Sequence, residues 1–122
     1  MLKKILIIFI LFLLSGCNQN NNKDLICKTI ETINKEKINI ETTYYFKNNE
    51  IKEGISKLTF TSEYSAQAYY NIYNASWIKE TTKVTINKKE VTIKLINIDE
   101  ELSHKTRKEM KNYLKKQGFK CN

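Results

Sequence analysis

Three cysteines, one histidine and a short acidic run are the residues of this 122-residue chain whose chemistry goes beyond packing. Catalysis needs an acid, a base or a nucleophile set beside a group that shifts its pKa or takes its proton. His104 is the only histidine, and no cysteine or carboxylate set is spaced around it like a triad or dyad. It is expected as an exposed residue near a helix start. Asp99-Glu100-Glu101 places three acids on adjacent positions. Adjacent side chains point in different directions and lack the alternate spacing of a calcium loop, so a solvated run leading into a helix is expected. Gly54 and Gly118 are isolated, and Gly16 lies at the end of an apolar N-terminus, so no glycine-rich loop can cradle a phosphate. None of the cysteines has CxxC or zinc-site spacing. The expectation is no enzyme, no cofactor and no metal, which leaves the thiols.

The thiols divide into one and two. Cys17 follows Lys3 and Lys4, an unbroken apolar run over residues 5–14, and then the small Ser15 and Gly16. Ten helical residues rise about 15 Å, half of a ~30 Å hydrocarbon core, which is the length of a signal-peptide apolar region and too short for a span. Leu14-Ser15-Gly16-Cys17 resembles the lipobox of bacterial lipoproteins. The resemblance implies cleavage after Gly16, lipid attachment through a thioether at Cys17, and anchoring at the extracytoplasmic face of the cell membrane. Two acyl chains anchor stably, whereas one is marginal at ~0.8 kcal/mol per buried CH₂. An ordinary secretory signal with Cys17 near its cleavage site, and an uncleaved anchor, are the other readings of the stretch. In an exported chain, Cys27 and Cys121 form an even pair near the two ends of the remaining sequence. A disulfide is expected there. It would close 94 positions, worth about 4–5 kcal/mol in the chain-entropy account. Two free thiols, buried or reactive, are the alternative.

Removing residues 1–16 leaves 106 residues, enough for one domain with a modest core. Lys3 and Lys4 leave with that segment, so 19 basic residues face 13 acidic ones, a net of +6. Such a domain beside an anionic membrane is drawn to lipid at about 1 kcal/mol per lysine near the surface. A lysine-rich solvated exterior is the plainer reading. Nucleic acid is not an expected partner, because the lysines are spread without aromatic stacking residues between them.

The remaining elements follow from patterning. Residues 18–26 are mainly polar and are expected as a flexible tether after the lipidated Cys17, reaching roughly 15–18 Å. Residues 27–33 suggest a short strand ended by Asn34-Lys35-Glu36-Lys37. Ile38, Ile40, Thr42, Tyr44 and Phe46 alternate with polar residues, the signature of a half-buried strand, and Lys47-Asn48-Asn49-Glu50 turns it. In the return strand over residues 51–61, Ile51 and Ile55 share one phase while Leu58 and Phe60 share the other. A bulge near residues 54–57 would reconcile them. Ser62 is a candidate N-cap for a helix over residues 63–77, with Tyr69, Ile72, Tyr73 and Trp77 spaced along one face. Asn74-Ala75-Ser76 matches a glycosylation triplet by chance. Val84 and Ile86, the turn Asn87-Lys88-Lys89-Glu90, and Val91, Ile93 and Leu95 form the clearest hairpin. Thr106-Arg107-Lys108-Glu109 fits a capping box for a last helix, with Ser103 as an earlier candidate start. Met110, Tyr113 and Leu114 are its expected buried stripe, and Gly118 is its left-handed stop.

The fold class expected is α+β, a small antiparallel sheet of two hairpin units with two helices on one face, in the order ββ(β)-α-ββ-α. The lipobox, early strands, a helix, a lysine-turned hairpin and a closing helix ending Gln117-Gly118-Phe119 resemble the YehR-like small lipoproteins. That resemblance implies a fold and a location and lends no activity. A single domain over residues 27–122, acting as a non-catalytic module that binds an envelope protein or polymer, is the expectation. The alternative is a small-ligand protein whose pocket, between the 63–77 helix and the sheet, is lined by Tyr64, Tyr69, Tyr73 and Trp77.

Overall fold

Six antiparallel strands make one sheet in the computed structural model, which describes residues 23–74 and 81–122. The elements run β1 (Leu25–Ile33), β2 (Glu36–Lys47), β3 (Glu50–Thr59), α1 (Glu63–Asn74), β4 (Thr82–Asn87), β5 (Glu90–Leu95), α2 (Glu100–Ser103), α3 (Arg107–Lys116) and β6 (Lys120–Cys121). Across the sheet the order is β4-β5-β3-β2-β1-β6. The α+β class stands, while the expected order lacks one helix and one strand. Asp99 accepts from the Leu102 amide at 2.7 Å and so starts the separate turn α2, which Ser103 closes rather than opening the last helix. β6 exists because Cys121 pairs with Cys27 across β1.

Two-residue loops set the register of the first three strands. Asn34 and Lys35 (φ 50° and 67°) join β1 to β2, and Asn48 and Asn49 (φ 52° and 63°) join β2 to β3. Two successive positive φ values match the right-handed twist of the flanking strands, and asparagine accepts them more readily than most residues. The expected domain start at Cys27 moves to Leu25, which is fully buried in β1 opposite Tyr44, so Leu25 and Ile26 belong to the strand and not to the tether.

The bulge lies elsewhere than expected. Tyr45 pairs with Glu53 and Phe46 with Ile51, so Lys52 is the extra residue. A single added residue inverts the side-chain phase. Ile51 therefore joins Leu58 and Phe60 on the covered face, and Ile55 alone turns to the other. Gly54 sits beneath the Tyr44 ring. A Cβ there would lie 2.7 Å from Leu95 Cδ1 and 3.1 Å from Tyr44 Cε1, closer than side-chain carbons approach.

All helices lie on one face of the sheet, over two separate apolar clusters. In the first, Met110 and Leu114 of α3 meet Leu25, Cys27, Phe46 and Ile51, with Leu102 and Phe119 at the margin. In the second, Ala66 of α1 meets Ile38, Leu58, Phe60 and Val91, with Tyr69 and Tyr70 packed beside it. Between them, the Thr42 and Ser56 hydroxyls of adjacent strands bond to each other at 2.8 Å. Burying one residue such as Leu25 or Val91 contributes about 1.5–3 kcal/mol.

Both longer helices begin and end as local chemistry dictates. Ser62 Oγ accepts from the Ser65 amide at 3.1 Å, and Thr106 Oγ1 from the Glu109 amide at 3.2 Å. Gly118 adopts φ 96°, and the Phe119 and Gly118 amides return to the Leu114 and Lys115 carbonyls, which closes α3 in a Schellman turn. Two stripe assignments are corrected. Ile72 is 73% exposed and Tyr113 is 58% exposed, because the buried faces are centred on Ala66 and on Arg107, Met110 and Leu114. α1 is described over Glu63–Asn74, and Trp77 lies outside the described residues.

Candidate functional site

The face of the sheet opposite the helices carries the polar halves of the alternating strands. Its central rung runs Lys120, Lys28, Glu41, Lys57 and Thr92 across five strands. The adjacent rung on the same face runs Ile30, Asn39, Thr59 and Glu90. All of these except Thr92 bound a groove of about 700 Å³, which also touches Thr29, Ile40 and Gly118. A smaller depression of about 120 Å³ shares Glu41 and Lys57 and continues to Thr43, Tyr45 and Ile55. None of the helices among the described residues packs on this side.

The groove mixes charge with short apolar surface. Lys28 pairs with Glu41 at 3.5 Å, and beyond the groove Lys94 pairs with Glu53 at 2.9 Å. Exposed pairs of this kind are worth 1 kcal/mol or less, so they orient side chains more than they stabilise the sheet. Lys57 and Lys120 have no ion-pair partner among the described residues, and Ile30 is 63% exposed at the rim. Donors, acceptors and an apolar corner set on a sheet give a partner several kinds of contact at once.

The residues singled out from the sequence are dispersed. Cys27 and Cys121 are joined by a disulfide with Cα atoms 4.1 Å apart, on neighbouring strands and in direct register. Cys17 lies outside the described residues. Tyr69 is half-buried against Phe60, ring centres 5.3 Å apart, and burial raises its phenol pKa. Tyr73 stacks on Tyr69 at 5.4 Å, whereas Tyr64 is 85% exposed. Phe60, Ala66 and Tyr69 thus occupy the space between α1 and the sheet where an aromatic pocket was the alternative. His104 stands 4.0 Å from Glu50 and 3.9 Å from Glu100, exposed. The Glu50 carboxyl is held below its usual value, first by its bond from Lys52 and last by His104. Asp99 is a helix cap, and no group of three metal-ligating side chains converges among the described residues.

Sequence reasoning missed the groove. Its residues appeared as the solvent-facing halves of separate strands, and only strand order brings Lys28, Lys57 and Glu90 together. Comparison with protein-family models, curated proteins and solved structures finds no match to this chain.

Proposed function

We propose that the chain is a lipoprotein, anchored through lipid on Cys17 to the extracytoplasmic face of the cell membrane, whose α+β domain is a non-catalytic binding module. One observation carries the binding reading. The helices of the described residues cover a single face of the six-stranded sheet, and the opposite face presents a groove of about 700 Å³ with exposed Ile30 and with Lys57 and Lys120, which have no ion-pair partner among the described residues. A concave sheet face that carries lysines offers a partner both contact area and charge. The partner is an envelope protein or polymer that lies over β1, β2 and β3. The lipobox-like stretch and the disulfide agree with an exported chain, since disulfides persist in oxidising compartments. A place among the YehR-like small lipoproteins belongs to the same reading, supported by the lipobox-like stretch and the run of strands and helices.

Two measurements test it. Mass spectrometry of the mature N-terminus is expected to find Cys17 first and lipidated; a different first residue removes the anchor. A photo-crosslinking residue placed at position 57 is expected to capture a discrete envelope component in intact cells, while one at position 67 on α1 captures none. Equal capture from both positions, or none from position 57, rejects the groove as the binding face.

A further inference from the structure

The first described residues of the chain and a lysine-bearing helix meet at one place. Arg107, the first residue of α3, is buried. Its guanidinium donates to the carbonyls of Lys23 and Asp24 at 3.1 and 3.3 Å, and to the carbonyl and side-chain oxygens of Asn122 at 3.3 and 2.9 Å. The point where the chain leaves toward Cys17 is therefore fixed against the N-terminal end of α3. Five residues lie between Cys17 and Lys23, and the six backbone steps span at most about 20 Å. α3 is ten residues, about 15 Å long.

Lys108, Lys111 and Lys115 fall within about 60° of each other around the α3 axis at 100° per residue, and Lys116 stands about 80° beyond Lys108. None of the four has an ion-pair partner among the described residues, and the only acid in α3, Glu109, is taken up with Thr106 at the cap. Arg107, Met110 and Leu114 hold α3 to the sheet about 100° around the axis from this flank, where Lys108 and Lys115 are exposed and Lys111 is half-buried at the inner margin.

We infer that the lysine flank of α3 docks on the anionic leaflet that holds the lipid anchor. The inference rests on the anchored reading above. Charge complementarity supplies the attraction, and the fixed exit of a short tether keeps α3 within reach of a surface potential that decays over about a Debye length of 8 Å. The lysine flank lies about a quarter-turn from the side of α3 that meets the sheet, so docking through it leaves the groove, on the other face of the sheet, clear of the contact.

The test uses the full chain as purified from the membranes of the cells that make it, reconstituted in phosphatidylcholine vesicles with or without phosphatidylglycerol, and reads the acetylation rate of each lysine by mass spectrometry. On anionic vesicles at low salt, Lys108, Lys111 and Lys115 are expected to react about fivefold more slowly, the factor equivalent to ~1 kcal/mol per lysine at such a surface. Lys88 and Lys89, at the far hairpin, keep their rates. High salt restores the α3 rates, and the triple substitution Lys108→Gln, Lys111→Gln, Lys115→Gln removes the protection of Lys116. Unchanged α3 rates, or protection of Lys57 and Lys120 instead, overturn the docking. The same spectra report the N-terminal peptide. An unlipidated Cys17 overturns the anchored reading and the docking with it, whereas a lipidated Cys17 with unprotected lysines overturns the docking alone.

Discussion

The two apolar clusters on the covered face are built by different means. The cluster under α3 is closed by chemistry between distant parts of the chain: the Cys27–Cys121 bond spans 94 positions, and Arg107 ties residues 23, 24 and 122 to one helix. The cluster under α1 has neither device. It relies on packing of Phe60, Ala66, Val91 and Tyr69, on an exposed edge strand β4, and on one carboxylate, Glu36, that receives the amide and hydroxyl of Thr61 where β3 leaves the sheet. The difference teaches that one end of the sheet is stabilised through the unfolded state and the other through native contacts. A cross-link lowers the entropy of the open chain, while packing is lost as soon as local contacts open.

Replacing both Cys27 and Cys121 with serine tests this most strongly. The loss expected in urea unfolding is about 4–5 kcal/mol. Hydrogen exchange of the Ile26 and Asn122 amides should rise before that of Ile93. Equal acceleration at both ends would show a single cooperative unit and dissolve the distinction. Arg107→Ala comes next, with an expected cost of about 1.5–3 kcal/mol, because four part-buried, charge-assisted hydrogen bonds from its guanidinium are lost at once. Its effect on exchange should again concentrate in β1 and β6.

A smaller effect addresses the boundary between the clusters. Thr42→Val alone leaves the Ser56 hydroxyl without its 2.8 Å partner and is expected to cost about 1 kcal/mol. The double change Thr42→Val with Ser56→Ala replaces both partners and should be nearly neutral by thermal unfolding, joining the two clusters into one. A cost for the pair as large as the sum of single changes would mean that the hydroxyls do more than separate them.

The smallest effect belongs to the α1 end. Glu36 is held below its usual carboxyl pKa, first by the Thr61 hydroxyl and then by Ser65. A carboxyl depressed in the folded state contributes stability above its unfolded pKa near 4.5 and loses it as pH falls through the lower folded value. NMR titration should place the Glu36 midpoint below 4.5, and Glu36→Gln should remove that share of the acid sensitivity. An unshifted midpoint would deny the link between β2 and the start of α1.

Much of this architecture is legible residue by residue. Alternation in residues 38–46 and 84–95, the Ser62 and Thr106 caps, the asparagine turn at 48–49 and the Gly118 stop are all local signals, and each element they mark is present. Local patterns carry such information because a strand or a helix terminus depends on neighbours within a few residues. Phase errors mark where that locality ends. The single extra residue Lys52 moved Ile51 to the other face from Ile55, and Ile72 and Tyr113 face water because the helices roll to bury Ala66 and Arg107.

The class of the fold and the pairing of Cys27 with Cys121 were thus open to a reading of the sequence alone. Composition and spacing suffice for those. Only the tertiary structure decided that the covered face holds two clusters rather than one, that β6 closes the sheet, and that polar residues from β1, β2, β3, β5 and β6 share one groove. Those facts depend on strand order and register between segments far apart in the chain, which are set by which faces bury against each other and not by any pattern within a segment.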